Sequence, residues 1–177
     1  MRRKLFIHFS FLISFFIFIS LFKKWLALSF WPFWLGGIVG TVLPEIDHLI
    51  YVFFSNPQEV TSQRVRYLCN NRQFKNCFWL LATTTGERAG LIFHTVLFQV
   101  IFFILTFWVL TSSASLFGRG LVLSFCLHLA IDQIEEVINK GTLQSWFWQI
   151  PVSLDRKQIS VFLGTVIFLV LFFGFFL

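Results

Sequence analysis

Five long apolar runs, separated by polar and basic stretches, make up most of this chain of 177 residues. They cover residues 5–22, 26–54, 89–110, 118–138 and 159–177. A helix needs about 20 predominantly apolar residues to cross the hydrocarbon of a bilayer, and each run is near or above that length. Hydrophobic residues make up 57% of the chain and charged residues 12%. A soluble domain covers its surface with roughly 25% charged residues, so much of this chain must be solvated by lipid. The expected fold is all-α: one membrane domain spanning residues 1–177, an integral helical bundle of about five transmembrane helices.

The charges fix an expected orientation. The formal net charge is +6, but the basic residues lie between the apolar runs rather than along one face, which argues against nucleic acid as a partner. With the N-terminus inside, Arg2, Arg3, Lys4, Arg64, Arg66, Arg72, Lys75, Arg88, Lys140, Arg156 and Lys157 are cytoplasmic. The opposite face carries only Lys23, Lys24 and Arg119, a clear positive-inside bias. The expectation is a multi-pass protein of the inner (plasma) membrane, N-terminus cytoplasmic and C-terminus outside. The first run is long for a signal peptide and is followed by Lys23-Lys24, so it reads as an uncleaved anchor.

Residues 55–88 interleave Arg64, Arg66, Arg72 and Lys75 with Val65, Tyr67, Leu68, Phe74, Phe78 and Trp79. That pattern predicts one or two amphipathic helices on the inner leaflet, with membrane lipids as partners and anionic headgroups at Arg64, Arg66, Arg72 and Arg88. Trp146, Phe147 and Trp148 read as an interfacial aromatic cluster. Cys69, Cys77 and Cys126 give no disulfide framework and read as free thiols.

Within the apolar runs stand five ionisable residues: Asp47, His48, His94, His128 and Asp132. An Asp at the centre of a membrane helix costs at least ~2.5 kcal/mol, so such residues usually serve a function. All are Asp or His, the side chains that bind transition metals and move protons. At 1.5 Å per residue Asp47 and His48 lie roughly 10 Å, His94 roughly 8 Å, Asp132 roughly 9 Å and His128 roughly 15 Å from the cytoplasmic ends of their spans. Three helices thus bring them to nearly one level. His128 and Asp132, four apart, share one helical stripe, and Glu135 and Glu136 continue that side. Glu87 lies two turns before His94, and Pro44 breaks the second span near Asp47. His8, without an acidic partner in its own helix, reads as structural.

Neutral His and ionised Asp are ligands for zinc, manganese or iron, and a divalent metal would offset the burial of the carboxylates. An open coordination position would acidify a bound water for hydrolysis, with Glu45 or Glu87 as the base. A non-enzymatic membrane scaffold or assembly factor, locked by His–Asp pairs, is the alternative. A proton or ion conductor would need a polar path to the outer face, where the third and fourth runs offer only Gln99, Thr106 and Ser124. Neither a Gly-x-Ser-x-Gly turn, a phosphate-binding loop nor a dinucleotide fingerprint is present.

The stretch Gly40-Thr-Val-Leu-Pro44-Glu-Ile-Asp47-His48 resembles the Gly-x-x-Leu-Pro-Asp-x-Asp-His signature of a bacterial family, the inner-membrane-associated metal-dependent hydrolases of the LexA-binding type. Glu87-Arg88 with His94-Thr95 is similar to that family's His-Arg-Gly-x-x-His-Ser element. His128-Leu-Ala-Ile-Asp132 resembles its His-x-x-x-Asp element, and Gly141 to Pro151 its Gly-to-Trp-Pro run. Glu45 stands where the family has Asp, Glu87 where it has His, and the spacing from Glu87 to His94 is longer. The resemblance implies metal binding by Asp47, His48, His94, His128 and Asp132. It also implies hydrolysis, and a site at headgroup level beside Arg64, Arg66 and Arg88 makes a lipid-associated ester or phosphoester at the cytoplasmic leaflet the expected substrate class.

Overall fold

The computed structural model describes residues 2–177 and is built of helices, with no strand among the described residues. Helix α1 is Arg2–Phe22, α2 Trp31–Val42, α3 Ile46–Ile50, α4 Val60–Asn70, α5 Phe74–Thr83, α6 Val96–Ser112, α7 Leu116–Lys140 and α8 Arg156–Phe176. Two segments, Leu28–Ser55 and Arg156–Phe176, are long and apolar enough to cross a membrane. Phe6–Phe22 and Val96–Ser112 are apolar but shorter. The fourth run is long enough, yet α7 carries Arg119, Asp132, Glu135, Glu136 and Lys140 along its length. The five expected spans are therefore met by length and composition in two segments.

Helix α7 occupies the centre, with α1, α2, α6 and α8 packed around it. Its contact with α2 is the closest, because small residues let the two backbones touch. A Cβ on Gly36 would collide with the Phe117 carbonyl, one on Gly40 with the Leu121 carbonyl and Ser124 Oγ, and one on Gly120 with the Phe33 carbonyl. Gly36 and Gly40 are four apart on one face of α2, the small-xxx-small arrangement by which membrane helices approach each other. Gly37 faces the other way, against the ring of Phe16 on α1. Around this contact Leu12, Phe16, Phe33, Leu123, Phe125 and Leu129 form the main core.

Pro44 bends the second segment without ending it. Leu43–Glu45 forms a 3-10 turn between α2 and α3, and α3 runs on into a π-helical turn over Tyr51–Ser55. Buried Gln99 on α6 and Gln133 on α7 exchange amide hydrogen bonds, so a polar pair in the core is satisfied without water. Gly141, with φ of 70°, ends α7 in the left-handed conformation that glycine adopts without strain. Asp155 and Gln158 close a capping box that starts α8.

Residues 55–88 do contain two short helices, α4 and α5, folded against each other. Arg64, Arg66, Arg72 and Lys75 are exposed alongside Tyr67, Phe74, Phe78 and Trp79, as an amphipathic hairpin requires. Two expectations fail in this region and the next. Cys69 and Cys77 are joined in a disulfide rather than free, because the turn at Asn71–Gln73 brings their Cα atoms to 5.6 Å despite eight residues of separation. Trp146 is buried at 2% exposure beneath the site instead of lying at an interface. Exposed apolar side chains cover the outside of the bundle, among them Phe6, Phe18, Ile101, Trp108, Val161 and Phe168.

Candidate metal centre

The site forms where α1 begins, α7 nears its end and the irregular segment 88–95 leads into α6. His94 stands on that segment and not on a helix, which differs from the expected third span of 89–110. Two local interactions explain the difference. Thr95 caps α6, its hydroxyl accepting from the Phe98 N–H at 3.2 Å, so the helix starts at Val96. The buried carboxylate of Asp47 accepts the N–H groups of Ile92 at 3.0 Å, Phe93 at 2.6 Å and His94 at 3.3 Å, taking backbone donors that a helix would otherwise leave unpaired at depth. Glu87 therefore does not share a helical face with His94.

Asp132 is the focus. Its Oδ2 lies 3.0 Å from Nε2 of His94 and 3.0 Å from Nε2 of His128, and its Oδ1 lies 3.3 Å from Nε2 of His8. The ligand atoms of His8, His128 and Asp132 all fall within 4.8 Å of one another. The rings of His8 and His128 lie side by side with centroids 4.1 Å apart, presenting both Nε2 atoms to the same carboxylate.

His8 was not predicted as a site residue, and it is the histidine whose role is clearest. Its Nδ1 lies 2.8 Å from the carbonyl of Lys4, so a neutral ring uses its single N–H there. The Nε2 lone pair then faces a carboxylate oxygen, an acceptor against an acceptor. Nε2 of both His8 and His128 is buried without a hydrogen-bond partner, since neither points a donor at Asp132 with hydrogen-bond geometry. A cation among these three atoms resolves the conflict. Ligands about 2.0–2.1 Å from a tetrahedral zinc are ~3.3–3.4 Å apart, close to the separations observed. The donor set of two imidazoles and a carboxylate thus fits a divalent metal.

His94 lies on the other side of Asp132 and touches a carboxylate with each ring nitrogen, Asp132 at 3.0 Å and Asp47 at 3.1 Å. Asp47 accepts from three backbone N–H groups and lies against Nδ1 of His94, so it orients the site from the rear instead of facing the three-atom cluster. His48 stands further out: its ring centroid is 5.9 Å from that of His94, and its Nε2 is 3.8 Å from Glu45. Of the five expected ligands the structure brings His128 and Asp132 into the cluster with His8, links His94 and Asp47 behind it, and leaves His48 at its edge.

A cavity of about 250 Å3 opens beside the cluster, lined in part by His48, His94, Asp132, Glu135, Glu136 and Arg88. The two acids expected as bases do not line it. Glu87 is exposed and accepts from Thr61 Oγ1, while Glu45 pairs with His48. Glu135 and Glu136 take their place, the first 3.4 Å from Lys4 and the second bonded to Ser145 and 3.6 Å from Lys140. Arg88 was expected at the headgroups and is instead buried at 6% exposure. Burial pushes its guanidinium below the usual value, against the pull of Tyr51 and Glu59.

Depth was the signal that would have found His8. It lies roughly 9 Å from the start of α1, the same level as Asp132. No family model, curated protein or solved structure matches this chain.

Proposed function

We propose that this protein is a multi-pass membrane protein that uses a divalent metal to hydrolyse a lipid-associated ester or phosphoester at the cytoplasmic leaflet. The observation that carries the reading is the convergence of Nε2 of His8, Nε2 of His128 and the Asp132 carboxylate within 4.8 Å of one another. The metal is zinc, manganese or iron on the chemistry of this donor set. The apolar exterior of the bundle and the excess of Lys and Arg on one set of loops support five crossings with the N-terminus inside. Exposed Arg64, Arg66 and Arg72 would then meet anionic headgroups. The motif resemblance at Gly40–His48 and His128–Asp132 points the same way.

His8, His128 and Asp132 would hold the metal, which would supply the Lewis acid that acidifies water and polarises the bond to be cleaved. His94, held by Asp47, reaches Oδ2 of Asp132, the oxygen that His128 also approaches, and so fixes the direction of the carboxylate. Glu135 and Glu136 line the cavity next to Asp132 and are placed to accept the proton of water. Water adds at phosphorus or the acyl carbon, and the alcohol leaves carrying a proton.

The scaffold reading has its own support, since the same contacts tie α1, segment 88–95 and α7 together. A chelation assay separates the two. Detergent-purified protein should hydrolyse p-nitrophenyl phosphate or a p-nitrophenyl acyl ester, lose that activity to a chelator and regain it with one equivalent of divalent metal. Metal-loaded protein inactive on both esters, or activity indifferent to the chelator, would reject the metal-dependent hydrolase.

A further inference from the structure

Cys69 and Cys77 close a disulfide across the α4–α5 turn, and the bond belongs to a small apolar core of its own. Tyr51, Val52, Val65 and Cys77 are the buried members of that core, with Cys69 and Leu91 packed against them. Helices of 11 and 10 residues are marginal in isolation, so α4 and α5 depend on this core and on its cross-link.

The same hairpin carries Arg64, Arg66, Arg72 and Lys75, the residues that put it on the cytoplasmic side in the proposed topology. Cytosolic thiols are kept reduced, and a disulfide on that side is as a rule transient, catalytic or redox-sensing. Cys77 is buried at 2% exposure while Cys69 is partly exposed, so Cys69 is the one of the two that solvent reaches.

This small core also touches the metal centre's support from two sides. Tyr51 and Val52 follow Asp47 by about one helical turn on one continuous segment. Leu91 directly precedes Ile92 and Phe93, whose N–H groups donate to Asp47 at 3.0 and 2.6 Å. Asp47 in turn lies against His94, which reaches Asp132. Loosening the hairpin therefore withdraws packing from both partners of the Asp47 grip.

We propose that Cys69–Cys77 is a reversible thiol–disulfide site that exchanges with a cytosolic dithiol protein, and that its oxidised form locks the hairpin bracing segment 88–95. A thiolate of the dithiol attacks Cys69 Sγ, the Cys69–Cys77 bond breaks, and Cys77 leaves as a thiolate that takes up a proton. The second thiol of the dithiol then displaces Cys69 from the mixed disulfide, and Cys69 takes up a proton in turn. Two electrons pass to the cysteine pair, and the dithiol ends as a disulfide. The cytosolic placement rests on the topology of the proposed hydrolase; the brace needs no metal.

Maleimide labelling of acid-quenched, denatured protein from growing cells counts the thiols, with and without a pulse of diamide. All three cysteines should label in untreated cells, Cys126 alone after diamide, and all three again on recovery. Metal-free protein in detergent is then compared by hydrogen exchange with and without dithiothreitol. Reduction should speed exchange at least about 10-fold across residues 60–83 and 88–95 and leave α7 unchanged. The double variant Cys69→Ala/Cys77→Ala should match reduced wild type and ignore dithiothreitol; if it fails to fold, the wild-type comparison decides alone. A pair that stays oxidised in growing cells, or a segment 88–95 indifferent to dithiothreitol, would overturn the site. Labelling of the reduced pair by a membrane-impermeant maleimide outside intact cells would overturn it together with the topology. A responsive hairpin on a protein that binds no metal supports the site and refutes the hydrolase alone.

Discussion

Asp132→Ala is expected to abolish stoichiometric metal binding and to destabilise the bundle by about 3–5 kcal/mol, the usual effect of removing one partner of a buried charged set. The carboxylate is the common neighbour of His8, His94 and His128, at 3.3, 3.0 and 3.0 Å. Without it the three rings lose the carboxylate on which they converge, and α1 and segment 88–95 lose their tie to α7. Asp132→Asn divides these effects. The amide keeps the shape of the side chain, so most of the stability should return while metal affinity stays at least 100-fold below wild type. Thermal unfolding and elemental analysis of the two variants give the comparison. Equal metal content in wild type and Asp132→Asn would mean that the carboxylate is no ligand.

The second large effect lies away from the site. Gly40→Leu should cost about 3 kcal/mol, the upper end for overpacking, and should lower metal affinity as well. A side chain there meets Ser124 Oγ and the Leu121 carbonyl, and the carbonyl cannot withdraw while α7 keeps its hydrogen bonds. The helix must move as a body, and Ser124 is one turn from His128. Gly164→Leu on α8 is the matched control, since a Cβ there meets open space and the position is exposed. Unfolding temperature in detergent checks both; similar values for the two variants would show that the α2–α7 contact does not organise the fold.

Hydrophobic runs made the helices legible, and helix boundaries were least legible where polar chemistry overrides hydropathy. Residues 89–95 are apolar enough to read as the start of a span, yet Asp47 captures their N–H groups and Thr95 caps the helix behind them. That capture depends on a residue more than forty positions away, which no local pattern contains. The pair His128–Asp132 could be read directly, because four residues place both on one face. His8 could not be assigned by looking for a partner within its own helix, as its partner is on α7. The disulfide was hidden by the same limitation: spacing alone gave Cys69 and Cys77 no reason to meet, while the α4–α5 turn does.

The central claim is that His8, rather than His48, completes the centre with His128 and Asp132. Elemental analysis of detergent-purified wild type, His8→Ala and His48→Ala tests it most directly. The account predicts one divalent metal per chain in wild type, its loss in His8→Ala and its retention in His48→Ala. A wild-type protein without metal, or metal kept in His8→Ala and lost in His48→Ala, would contradict it.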